Sequence, residues 1–172
     1  MDKLYSTNDD LLVRKSGERA KRKHHYLKNY CGITTVSMRN KFNLVYLDVM
    51  AGPGRCKIEE TNEEFPGSPL VALDYDFAEY IFIEEDEESV DALKKRVACH
   101  PKAHKVKVIP ENWIKVVESG HVSAMISRIC CSSAGFRPPV IRQGIPSRFC
   151  ACAITAFQRS ANQYLSGLAE PG

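Results

Sequence analysis

Apolar positions over the first two thirds of the chain follow two alternating rhythms. NLVYLDVM, residues 43 to 50, is almost unbroken in apolar residues, as a strand covered on both faces must be. EYIFIE (79 to 84) has the same character, and HKVKVIPEN (104 to 112) predicts a third strand. Helical spacing fills the intervals. GERAKRKHHYLKNYCGI (17 to 33) predicts a helix whose Ala20, Tyr26, Leu27 and Tyr30 form an apolar stripe beside a basic face. At Gly67-Ser68-Pro69 a second helix starts, with Ser68 as cap and Pro69 in the first turn, and PLVALDYDF carries it on. DEESVDALKKRVACH (86 to 100) has acids in its first turn, bases in its last, and an inward face of Val90, Leu93 and Val97. Strand alternating with helix at this pace predicts an α/β fold, a parallel sheet with right-handed crossovers and flanking helices.

The pattern fails near Glu118. Residues 1 to 118 carry 19 Lys+Arg and 20 Asp+Glu, whereas 119 to 172 carry five arginines, one acid (Glu170) and four of the seven cysteines. SRICCSSAGFRPPVIRQGIPSRFCACAITAF has no sustained period and too little charge for a solvated surface. Two explanations stand. FCACAITAF is a buried strand and QRSANQYLSGL a terminal helix, or the segment is out-of-frame translation behind an intact first half. The wholesale change of amino-acid usage favours the second. The expected organisation is therefore a half-domain over 1–118 and an atypical, frameshifted or poorly ordered tail over 119–172.

Composition narrows the class. The 172 residues fit one domain with a real core, and a net charge of +3 is too small to argue for nucleic acid. No apolar run approaches a bilayer span, and the N-terminus lacks a signal-peptide core, so the expected location is cytoplasmic. Cys31, Cys56 and Cys99 are isolated, Cys130-Cys131 adjacent, and Cys150-x-Cys152 one residue short of a metal clip. Thiols in a reducing compartment are expected, with no metal site.

The candidate chemistry lies at the strand ends, because ligands of open parallel sheets sit beyond the carboxyl ends of the strands. The first strand runs into Asp48 and then Ala51-Gly52-Pro53-Gly54, where glycines let the backbone approach a ligand. The second ends at Glu84, an acid able to accept ribose hydroxyls, and the third near Asn112, placed to meet an adenine edge. Together they describe an adenosine site. A nicotinamide fingerprint needs G-x-G-x-x-G facing a pyrophosphate. Here only Gly52-x-Gly54 is present, followed by the acidic Glu59, Glu60, Glu63 and Glu64, and no P-loop occurs. S-adenosylmethionine has no phosphate, and Asp48 is placed to hold its amino group directly or through water. Asp48-x-Met50-x-Gly52-x-Gly54 matches a methyltransferase pattern of an acid followed by alternate small residues, with Met50 at the first glycine's place. Plainer readings stand beside it: Gly-Pro-Gly as a bare turn, Glu84 as a surface acid, Asn112 as an ordinary loop residue.

KHHYLKNY, LVYLDVMAGPGR, GSPLVAL and YIFIEEDEESVDALKKRV, in that order, resemble the three-Cys-motif partner protein (TcmP) family over roughly residues 17 to 112. The resemblance implies a Rossmann-like, class I methyltransferase-like sheet and a three-Cys-motif protein as partner. By position Asp48, Ala51, Gly52, Gly54 and Arg55 match the loop motif, Gly67, Ser68 and Pro69 the second, and Glu84 the third. Met50 departs from the family's Phe. The family's later strand ending in Asp-Pro-aromatic-Gly has no counterpart, since no Asp-Pro occurs in the chain. That leaves the first strand unpaired on one edge, the fold incomplete in its C-terminal half, and the catalytic group unassigned. The expectation is a truncated, S-adenosylmethionine-binding, methyltransferase-like protein, inactive on its own. The alternatives are a non-catalytic partner protein and a nucleic-acid-binding fragment using RAKRKHH (19 to 25).

Overall fold

The structure is a computed structural model that describes residues 3–38 and 43–119. In chain order the elements are β1 (Leu4–Tyr5), β2 (Leu12–Ser16), α1 (Glu18–Met38), β3 (Val45–Asp48), β4 (Arg55–Ile58), β5 (Glu64–Pro66), α2 (Ser68–Leu73), β6 (Glu79–Ile83), α3 (Glu87–Ala98), β7 (Val106–Ile109) and α4 (Trp113–Glu118). The expectations for residues 120 to 172, including the strand FCACAITAF and the terminal helix, lie outside the described residues.

The three predicted strands form one parallel sheet in the order β3-β6-β7, and among the described residues β3 has no strand on its other edge. Tyr46 lies opposite Tyr80, and Asp48 opposite Phe82. Because side chains alternate across a strand, these strands feed two cores. Leu44, Tyr46, Tyr80 and Phe82 pack with Cys31 of α1, Ala72 and Leu73 of α2, and Leu93 and Val97 of α3. On the opposite face Val45, Leu47, Val49, Ile81 and Ile83 meet Val116 of α4. Burial on both sides explains the near-continuous apolar strands. Tyr80 is accommodated inside because its hydroxyl donates to the Tyr75 carbonyl and accepts from the Phe77 amide.

A second sheet was not predicted. β1, β2, β4 and β5 form it in that order, with β2 and β4 parallel and the outer pairs antiparallel. The acidic stretch after Arg55, read as an intervening segment, is largely the β4–β5 hairpin, turned at Asn62 with φ +55°. Its Glu64 is not a solvated acid: the side chain is 5% exposed. It accepts from the Ser6 hydroxyl at 2.6 Å and the Thr7 amide at 2.8 Å. Burial alone would raise the Glu64 pKa, but these donors and the charge of Lys57 outweigh it and hold the carboxyl below its usual value.

The helices need three corrections. In α1 the buried line is Ala20, Cys31, Thr34 and Thr35, with Leu27 packed beside it, while Tyr26 and Tyr30 are 69% and 47% exposed. At 100° per residue, positions 20, 27, 31 and 34 share a face and 26 and 30 lie off it. The α2 cap is Gly67, and Ser68 is already helical without a side-chain cap bond. The helix stops at Leu73 rather than running to Phe77. Lys102 Nζ donates to the Leu73 and Tyr75 carbonyls at 2.9 and 2.6 Å, satisfying acceptors at that end. In α3 the agreement is close: Asp86 caps by accepting from the Ser89 amide, and Val90, Leu93 and Val97 are buried. Among the described residues no helix is long and apolar enough to cross a membrane.

Candidate functional site

Asp48 ends β3 with no exposed surface. Its Oδ1 accepts from the Met50 amide at 3.3 Å, and its Oδ2 is buried with no hydrogen-bond partner among the described residues. Burial pushes the carboxyl pKa up, and the nearby charge of Glu84 adds to the rise. The Ser68 hydroxyl, the Met50 amide and the charge of Arg14 work against it without cancelling it. Ser68 lies close enough to matter electrostatically but does not complete a bond to Oδ2. Asp48 pairs with Phe82, two residues before Glu84, and the charge of Glu84 reaches it, so both carboxylates stand at the same end of the sheet.

The bend between them is fixed at every residue. Ala51 is buried, and its amide donates to the Ile83 carbonyl at 3.1 Å. The Gly52 amide donates to Glu84 Oε2 at 2.7 Å. Pro53 gives its carbonyl to Arg96 Nη1 at 2.5 Å, and Gly54 gives its own to the Gly67 amide at 2.7 Å. Gly52 and Gly54 have φ of +66° and +90°, the left-handed region where other residues are strained.

The missing side chains serve the protein as well as any ligand. A Cβ at Gly54 would sit 3.1 Å from Leu93 Cδ1 and 3.6 Å from Leu70 Cγ, and one at Gly67 only 2.9 Å from the Gly54 carbonyl oxygen. The two motifs thus touch, backbone against backbone. At Gly52 the neighbour is the flexible end of Arg14, with Nη1 3.3 Å from the Cβ position. Of the two positive-φ glycines, Gly52 is the one faced only by a movable side chain.

Glu84 and Asn112 are already engaged. Besides Gly52, Glu84 accepts from the amides of Glu85 and Asp86 at 3.1 and 3.2 Å through Oε1. A carboxylate has about four acceptor positions, so roughly one remains for a ribose hydroxyl rather than two. Asn112 caps α4, its Oδ1 accepting from the Ile114 amide at 2.9 Å, while its Nδ2 donates to Glu85 at 2.6 Å. Asp48, Ala51, Gly52, Gly54 and Glu84 therefore share one rim, and Asn112 joins it through Glu85.

Sequence reasoning passed over Arg14, Arg96 and Asp9. Arg14 reaches the bend from β2, and Arg96 reaches it from α3. Arg96 also donates to both Asp9 oxygens at 2.8 Å and to the Leu12 carbonyl at 2.7 Å. The only available signal for Arg96 was its place three residues from Leu93 on the inward face of α3. In the basic run of α1, Lys21 lies between Glu18 and Glu63, at 3.3 and 2.5 Å. Arg22 and Lys23 are exposed.

No protein-family model matches the chain, and no curated protein matches it. Among solved structures it is similar to the Legionella pneumophila protein LPL1258, which carries the family label DUF519. That match has a TM-score of 0.48 at 14% identity, over 60% of this chain and 51% of the other. It is also similar to yhhF, a provisionally assigned methyltransferase of Escherichia coli, with a TM-score of 0.43 at 18% identity over 67% and 56%. The chain spans about half the length of these proteins. At these scores neither match transfers a family or an activity, and the likeness to the three-Cys-motif partner proteins remains one of sequence motifs. What the structure itself establishes is a mixed α/β chain with a parallel sheet and flanking helices.

Proposed function

We propose that this rim binds S-adenosylmethionine and that the chain is the cofactor-binding half of a methyltransferase-like protein akin to the three-Cys-motif partner proteins. One observation carries the proposal. Two carboxylates stand at adjacent strand ends, a glycine bend lies between them, and one buried oxygen, Asp48 Oδ2, has no hydrogen-bond partner among the described residues. A buried acceptor without a donor costs about 1–3 kcal/mol, and an ammonium-bearing ligand offsets that cost directly or through water. When bound, the cofactor supplies a methyl group on a sulfonium. The chain's own residues orient it. Glu84 holds the Gly52 amide and keeps an acceptor position for a ribose hydroxyl, and Asp48 attracts the amino end. Asn112 contributes the shape of the α4 cap, because its amide is committed. No residue is assigned to the transfer step.

Calorimetry of the full chain with S-adenosylhomocysteine tests this. Binding is expected, weakened at least about tenfold in Asp48→Asn, a loss equal to about 1.4 kcal/mol. No heat with the wild type, or equal affinity in the variant, would reject the assignment.

A further inference from the structure

Arg14 is the cation that faces Gly52 in the bend, and the nucleoside site proposed above leaves it without a task. It lies on β2, in the second sheet, and its partly buried side chain crosses to the rim of the first. Its Nη1 is 3.3 Å from where a Gly52 Cβ would stand and makes one long bond, 3.4 Å, to the Met50 carbonyl. Its charge acts on buried Asp48 without forming an ion pair within 4 Å. A guanidinium has five donors in a planar fork suited to a carboxylate. Among the described residues a single weak bond occupies it. The contrast with Arg96 is sharp, since Arg96 places five bonds on Asp9, Leu11, Leu12 and Pro53. Arg96 is fastened; Arg14 is held loosely beside an open glycine.

We infer that Arg14 recognises the carboxylate of an α-amino acid moiety, with Asp48 matching its ammonium across the Gly52 bend. An α-amino acid is a zwitterion. A site that reads it needs one cation and one anion on either side of a backbone that a ligand can approach. Arg14 supplies one of these parts from β2, and Asp48 and Gly52 supply the other two from the end of β3 and the bend that follows it. A bare nucleoside would need neither charge. A pyrophosphate would use Arg14 but meet Asp48 and Glu84 as like charges. The inference rests on the nucleoside site proposed above and names which part of the ligand gives it specificity.

The experiment compares two ligands on the full chain. S-adenosylhomocysteine carries the amino-acid tail, and methylthioadenosine has the same nucleoside and sulfur without it. Arg14→Gln is expected to weaken S-adenosylhomocysteine at least about tenfold while leaving methylthioadenosine within about twofold. Arg14→Lys, which keeps the charge but not the fork, is expected to recover part of the loss. Equal weakening of both ligands would make Arg14 a merely structural prop and overturn the inference. So would unchanged binding of both, or a lysine variant that recovers none of the lost S-adenosylhomocysteine affinity. Should the wild type bind neither ligand, the nucleoside site fails along with it. Binding of both with no dependence on Arg14 removes the inference alone. Thermal melts of both variants, expected near wild type, separate lost recognition from lost folding.

Discussion

Removing the Arg96 guanidinium should loosen the glycine bend and the N-terminal segment together. In Arg96→Ala the carbonyls of Leu12 and Pro53 lose donors at 2.7 and 2.5 Å, and the Asp9 carboxylate loses both its 2.8 Å partners. The arginine side chain is 5% exposed, so water does not readily replace it. Buried carbonyls left without donors, added to a broken buried charge contact, cost about 3–5 kcal/mol. Asp9→Asn is a milder cut at the same node. The Arg96 hydrogen bonds lower the Asp9 pKa from 3.8 to about 2. At about 1.36 kcal/mol per unit the upper bound is about 2.5 kcal/mol, and with the side chain 32% exposed, screening reduces it to about 1–2 kcal/mol. The sign follows from the depressed folded value. The stabilisation is complete above the unfolded value of 3.8 and disappears as pH falls through about 2. Urea titrations at about pH 6 and about pH 2.5 should therefore show the gap between wild type and Asp9→Asn shrinking at the lower pH. An Arg96→Ala loss below about 1 kcal/mol, or an Asp9→Asn gap unchanged with pH, would refute the assignment of this node.

Gly67→Ala places a methyl 2.9 Å from the Gly54 carbonyl oxygen, against backbone that cannot rotate away, and should lower stability by about 1–3 kcal/mol. An unchanged melting temperature would mean that the two motifs are not in contact. Glu84→Gln keeps the shape but loses the charge accepting from three amides, so about 1–2 kcal/mol should go. The Gly52 amide should then exchange faster with deuterium, and unaltered exchange would contradict the contact. Asp48→Asn should be at least as stable as wild type at neutral pH while binding ligand less well. Burial raises the Asp48 pKa above 3.8, so the ionised form is a cost that grows as pH rises through the folded value. Denaturant midpoints of the two proteins should converge below that range, and a variant that is clearly less stable at neutral pH would contradict the unpaired oxygen.

Much of the first sheet is legible locally. β3 and β6 are apolar because both faces are covered, and the α3 cap at Asp86 and its buried Val90, Leu93 and Val97 are properties of adjacent turns. The second sheet was hidden because its strands are two to five residues long and rich in charge. A strand of that length acquires its identity from its partner. The α1 stripe was misplaced for a related reason: tyrosines count as apolar in a pattern, yet Thr34 and Thr35 are the residues that face inward. Thr35 manages this by donating its hydroxyl to the Cys31 carbonyl at 2.7 Å.

At the rim, local pattern determines that a glycine bend follows a buried strand and that acids stand at the first two strand ends. It does not determine what those groups touch. Glu64 reads as one acid of an acidic stretch and is a buried acceptor; Arg96 reads as one of the bases in the last turn of a helix and is the fastening of the bend. Arg96 and Asp9 are 87 positions apart, and Glu84 and Gly52 are 32 apart. Helix, strand and cap energies depend on residues within about one turn of each other, so they leave a trace in the order of amino acids. Which buried charge meets which partner depends on how whole segments pack, and only the folded chain decides that.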